Sequence, residues 1–291
     1  MSNFYKTNFE GLRLEPKFSE AMSALERGFT CFGIDYYLVG AVSRNAWLSA
    51  IHKVTPKRTT GDVDFAVFIN NNGVYEDLKK YLIEVEGFQP FHDNAFIVMW
   101  KDGTEIDLLP FGAIEDDDRK VTVLGTGYTS VHVDGFNEVY NLGLPELELD
   151  ENHRFKFATL SGIVLLKLIA WDDRPEVRGD DIKDVSEILD HFFDIKQEQI
   201  WEDHADMFLV EHATDDGRNG LLLIAAKVLG KELKTIVSQT PVLYNRVLGI
   251  IARNTIDPAT SEMGKIMAQY FETTVEKARL IIKEIEAGLV E

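Results

Sequence analysis

Apolar residues come in short runs over the first half of the chain and recur every three to four positions over the second. In the first half, "SEAMSALERGFTCFGI" has the spacing of a helix, and "YYLVG" reads as a short strand ending at Gly40. "AVSRNAWLSAIHK" returns to a helical period, with Val42, Ala46 and Ile51 near one face. "VDFAVFIN" is a strand, "NNNG" a turn and "VYEDLKKYLIEVEG" a helix. The sharpest local signal is "AFIVMW-KDGT-EIDLLPF", two β-rich runs flanking Asp102-Gly103. That pair favours the positive φ angles of a tight hairpin turn, and Pro110 is expected to end the second strand. "IEDDDRKV" is a charged loop, and residues 123–149 read as further short strands with turns at Gly127 and Asp134-Gly135.

From about residue 150 the pattern is helical: "FKFATLSGIVLLKLIAWDDR", "GDDIKDVSEILDHFFD", "KQEQIWEDHADMFLV", "NGLLLIAAKVLGKEL" and a last helix ending in "TVEKARLIIKEIEAGLV". The expected architecture is α+β. A small mixed β-sheet with flanking helices occupies residues 1–150, and an α-helical domain follows over 151–291. No internal repeat or low-complexity linker interrupts the chain.

The 291 residues are 45% hydrophobic, enough for a well-buried core. A net charge of -19 repels phosphate backbones over most of the surface, which disfavours extended wrapping of a duplex. Basic residues gather only in "HKVTPKR" and in "DRK" at 118–120. The single cysteine, Cys31, cannot form an internal disulfide and is expected as a small buried hydrophobe. The start of the chain lacks the apolar core of a secretory signal, and no stretch is apolar enough to span a bilayer. The expectation is a cytoplasmic protein with no membrane partner.

Candidate chemistry begins at "KRTTGDVDFAVFIN". Residues i and i+2 of a strand share a face, so Asp62 and Asp64 project together while Val63, Phe65 and Val67 turn to the core. Two carboxylates held close repel unless a proton or a cation sits between them. Mg²⁺, which prefers oxygen ligands, resolves the repulsion. In "EIDLLPF", Glu105, Asp107 and Leu109 share a face opposite to Ile106 and Leu108. A lone acid inside an apolar strand is costly to bury, so Asp107 is expected beside the other two. Glu105, close to the turn, is expected to meet solvent. Three such carboxylates can hold two Mg²⁺ ions for an in-line displacement at phosphorus.

Phosphates need amides or positive charge. In "YYLVGAVSRNAW", Gly40 would let a triphosphate approach the backbone at a helix start, Ser43 offers a hydroxyl and Arg44 a planar fork. Lys57 and Arg58 precede the acids and could neutralise substrate charge. "GTGYT" at 125–129 has no helix start behind it and reads as a hairpin turn. His132, His153, His191 and His204 lack the partner spacing of a zinc site. Trp171 is expected as a packed residue.

Together "LVGAVSR", "RTTGDVDF" and "EIDLL" resemble the DNA polymerase beta-type nucleotidyltransferase superfamily. The arrangement is most similar to the AbiEii-type toxin nucleotidyltransferases, which include the MenT-like enzymes. The family's glycine turn matches Gly40, Ala41, Val42, Ser43 and Arg44, with Ala41 replacing a second Gly or Ser. Its second motif matches Arg58, Thr60, Asp62 and Asp64, and its third carboxylate falls on Asp107. In the helical half the resemblance gives a Lys and an Arg on one helix, Lys167 and Arg174, with Lys167 on the nucleotide phosphates and Asp184 orienting the basic residues. Lys167, Trp171 and Arg174 fall at helical spacing and are expected to share one face. The likeness covers roughly residues 36 to 190.

What it implies is transfer of an NMP from an NTP to an acceptor hydroxyl, with two Mg²⁺ ions held by Asp62, Asp64 and Asp107. Asp107 would also take the hydroxyl proton. The acceptor implied is an RNA end such as the tRNA acceptor stem, with an antitoxin-like protein as a partner. Three alternatives stand beside it: a small-molecule acceptor as in antibiotic nucleotidyltransferases, a protein hydroxyl, and a nucleotide-binding regulatory protein without turnover.

Overall fold

The computed structural model describes residues 4–57, 61–209 and 217–291. It divides into two compact units after Thr159. The first unit opens with β1 (Phe4–Thr7), α1 (Phe9–Leu12) and α2 (Phe18–Phe32), then β2 (Tyr36–Leu38). Next come α3 (Gly40–Asn45), continued by a π-helical turn over Ala46–Ile51, and β3 (Asp62–Phe68). α4 (Asn72–Tyr81) also ends in a π-helical turn, over Leu82–Glu86. The remainder is β4 (Gln89–Pro90), β5 (Ile97–Met99), β6 (Glu105–Phe111), β7 (Lys120–Thr122), β8 (Ser130–His132), α5 (Phe136–Asn141), β9 (Glu146–Leu149) and β10 (His153–Phe157).

Eight strands form one mixed sheet in the order β1-β9-β10-β2-β3-β6-β5-β4, while β7 and β8 pair separately. Sheet position follows from side-chain alternation. Phe65, Leu108, Leu147 and Phe155 share one face, and α2 lays its stripe of Phe18, Met22, Leu25 and Phe29 there; Phe29 contacts both Tyr36 and Phe65 edge-on or tilted. α4 flanks α2 on this side, because Gly28 lets Leu78 and Leu82 approach its backbone. On the opposite face Tyr37, Phe68 and Phe111 gather beneath Tyr140 of α5. Caps mark the helix ends: Asn71 Oδ1 accepts from the Val74 N–H, and Gly33, at φ 63, closes α2.

The hairpin turn stands as expected, with Gly103 at φ 88 and the Trp100 N–H bonded to Thr104 O at 2.9 Å. Several local readings change. Pro110 does not end β6, which pairs with β3 as far as Phe111. The Leu108 N–H donates to Phe96 on the β5 side, and two residues on β5 has already ended, so proline's missing N–H breaks no ladder bond. Residues 136–141 form a helix, α5, not a strand. "HRFKF" is a strand, β10, and not the start of a helix: His153, Phe155 and Phe157 are buried while Arg154 and Lys156 are not, the alternation of a strand. The first unit therefore reaches Thr159. Cys31 is exposed, because it falls off the buried stripe of α2.

The second unit is helical: α6 (Leu160–Asp173), α7 (Gly179–Asp203), a 3-10 turn over Ala205–Leu209, α8 (Arg218–Val237), α9 (Pro241–Arg253), α10 (Glu262–Tyr270) and α11 (Val275–Val290). α7 is one helix across the two segments read separately from the sequence. α8 and α11 cross at backbone contact, since a Cβ on Gly230 would lie 2.2 Å from Ile285 O and one on Gly288 2.0 Å from Lys227 O. Ser261 and Thr274 cap α10 and α11. Among the described residues no helix is long and apolar enough to cross a membrane.

Candidate metal centre

Three segments meet at one end of the sheet. β3 and β6 run parallel, so both begin there, and the antiparallel β2 ends there before the Gly40 turn. Asp64 stands in register with Asp107, and Asp62 with Glu105, so all four acids lie on one face. Oxygens of Asp62, Asp64 and Asp107 all lie within 4.8 Å of one another; Glu105 is half-buried and outside this group. Asp62 is exposed, and Asp64 and Asp107 are half-buried, so the cluster opens to solvent on the Asp62 side.

Charges at that spacing repel by about 3 to 4 kcal/mol per pair at an effective dielectric of about 20. Three carboxylates converging at this spacing offer the all-oxygen donor set that a hard cation such as Mg²⁺ would take. Asp64, in register with Asp107 and on the same strand face as Asp62, is the acid that neighbours both others, and the three together would hold the cation.

Gly40 closes this end. Its φ is +64, and a Cβ there would sit 1.9 Å from Asp64 Oδ2. The Val39 N–H donates to the Asp64 carbonyl at 2.9 Å, so the turn is fastened to β3 immediately beside the acid. The immediate need for glycine is thus room for the Asp64 carboxylate. Ala41 is buried at 6% exposure. Ser43 and Arg44 are fully buried: the Ser43 hydroxyl donates to Ala158 O at 3.3 Å, and the Arg44 guanidinium donates to Asn45 Oδ1. Both polar groups are engaged inside the first unit and are not presented on its surface. Lys57 is exposed, and Arg58 and Thr60 lie outside the described residues.

In the second unit Lys167 is buried on α6, with its ammonium 2.9 Å from Asp181 and 2.7 Å from Asp184 at the start of α7. Burial pulls the Lys167 pKa down, but the charges and hydrogen bonds of the two aspartates outweigh it and hold the value above its usual range. Asp181 is the partner that sequence reading missed; Asp181 and Asp184, at i and i+3 in "GDDIKD", were its signal. α6 stops at Asp173, so Arg174 does not continue the face of Lys167 and Trp171: those two are buried and Arg174 is exposed.

His153, read from the sequence only as lacking a zinc partner, is buried with two polar neighbours. His153 Nε2 lies 3.0 Å from Ser19 Oγ, and its Nδ1 lies 2.9 Å from Glu26 Oε2. "GTGYT" lies in the β7–β8 connection, where Gly127 packs against the backbone of Asp93. No protein-family model matches the chain, and no curated protein matches it at a significant level.

Proposed function

We propose that the protein is a Mg²⁺-dependent nucleotidyltransferase that moves an NMP from an NTP to an acceptor hydroxyl. The observation that carries this reading is the convergence of Asp62, Asp64 and Asp107 within 4.8 Å on one sheet face. Asp62 and Asp64 hold cations, and Asp107 completes the site. Bound Mg²⁺ supplies Lewis acidity to the phosphate oxygens and offsets the negative charge of the leaving pyrophosphate. Asp107 takes the acceptor's proton as the new oxygen–phosphorus bond forms and the bond to pyrophosphate breaks.

The acceptor we favour is an RNA end, on the strength of the motif resemblance. The charge of -19 limits such contact to a local basic rim. A second reading, cation and nucleotide binding without transfer, draws support from Ser43 and Arg44, whose polar groups are engaged in the core.

Incubation with each α-labelled NTP, Mg²⁺ and total RNA separates the two. Label in RNA, lost in Asp64→Asn and at high salt, supports the transferase with an RNA acceptor. Label insensitive to salt, on a small molecule or on protein, retains the transferase and changes the acceptor. Nucleotide binding with no transfer to any acceptor leaves the second reading.

A further inference from the structure

We propose that Ser19, His153 and Glu26 form a second reactive site, in which Ser19 is an activated nucleophile that takes the acyl group of a small activated ester. An ionised carboxylate can only accept a hydrogen bond, so the 2.9 Å contact to Glu26 puts the proton of neutral His153 on Nδ1. Nε2 is then the bare acceptor facing the Ser19 hydroxyl at 3.0 Å. This is the order of groups that makes a serine nucleophilic: hydroxyl, imidazole base, orienting carboxylate.

The imidazole is held in place. His153 is 3% exposed at the start of β10, and its ring meets Phe9 edge-on at 6.1 Å. Ser19 and Glu26 are seven residues apart on α2, two turns along one face, so the ring bridges them. Ser19 is itself partly exposed and open to a small ester. The site is separate from the acid cluster. Phe157 pairs with Leu38 at the end where the acids lie, so His153 stands at the other end of its strand, on the α2 face.

In the step, the Ser19 Oγ–acyl carbon bond forms and the ester carbon–oxygen bond breaks. The serine proton passes to His153 Nε2 and then to the departing alkoxide. Turnover is not part of the proposal. The N–H groups of Ser19 and Glu20 already donate to Pro16 and Lys17, so they do not serve an oxyanion. Losing a single such donor slows acyl transfer by about 10² to 10³-fold. Without those donors acyl transfer is slow, and the proposal extends only to stoichiometric acylation of Ser19.

The test is 4-nitrophenyl acetate added to the full-length protein, following nitrophenol release and mapping acetylated peptides by mass. The expected result is one equivalent released, with acetyl on Ser19 and no effect of a chelator. Glu26→Gln and His153→Gln should each slow acetylation of Ser19 at least about tenfold. Should His153→Gln fail to fold, Glu26→Gln on its partly exposed side chain decides alone. Acetyl on lysines only, or Ser19 acetylated as fast in the folded variants, overturns the proposal. Either result leaves the acid cluster untouched, because chelation does not enter this chemistry.

Discussion

A methyl group on Gly40 would fall 1.9 Å from Oδ2 of Asp64, closer than any real carbon–oxygen contact allows. The glycine of one strand's exit and the acid of its neighbour's entry therefore specify each other. Gly40→Ala must both hold alanine at φ +64 and displace the carboxylate. The expected cost is about 1 to 3 kcal/mol of stability, read from urea melts, with Mn²⁺ affinity falling at least about tenfold. Unchanged Mn²⁺ affinity in a folded Gly40→Ala protein would mean that the position of Asp64 is irrelevant to cation binding.

The repulsion among the three acids predicts a metal-dependent stability. Mg²⁺ at about 100 times its Kd should stabilise the native protein by about 2.7 kcal/mol, since the unfolded chain has no such site. Asp64→Asn and Asp107→Asn should each abolish most of that gain. Calorimetry with and without Mg²⁺ checks it, and an undiminished gain in both variants argues for a different cation site.

Lys167 predicts a larger loss of stability. Lys167→Met leaves Asp181 and Asp184 facing each other without their shared cation. Breaking a buried pair this way costs about 3 to 5 kcal/mol, so the melting midpoint should drop sharply. The double variant with Asp184→Asn should recover part of the loss, as a thermodynamic cycle would show. Additive losses would mean that the two side chains do not interact.

Asp35 supplies a pH dependence of stated sign. Burial would push its carboxyl up, but hydrogen bonds from Lys156 and Tyr140, with the Lys156 charge, hold it below the ordinary aspartate range. A depressed value contributes stability that is present above the unfolded pKa and lost as pH falls through the folded one. Asp35→Asn should therefore melt below the wild type at pH 7, and the gap should close as the pH is lowered past 4 towards the depressed value. A gap that persists or widens on acidification contradicts the pairing.

What the sequence made legible was local or periodic. Asp102-Gly103 carries its own turn, and the spacing of Asp62, Asp64 and Asp107 fixes a shared face once β3 and β6 are neighbours. Harder to read were short elements and polar groups that face inward. α5, six residues between Gly135 and Gly143, is too short to display a helical period. β10 runs into α6 almost without punctuation, and only the alternation of His153, Phe155 and Phe157 marks it. Ser43 and Arg44 have side chains that suit phosphate, yet here they satisfy groups inside the core. Asp181 showed only in its i, i+3 spacing with Asp184, and the Ser19–His153–Glu26 chain depends on contacts between distant segments, which no spacing along the chain reveals.

The central claim is that three carboxylates hold divalent cations for nucleotide chemistry, and Mn²⁺ binding measured by electron paramagnetic resonance with an NTP present tests it most directly. The account predicts bound Mn²⁺ in the wild type and at least about a tenfold weaker Kd in each of Asp62→Asn, Asp64→Asn and Asp107→Asn, a loss of about 1.4 kcal/mol or more. Equal Mn²⁺ binding by the wild type and all three folded variants would contradict it.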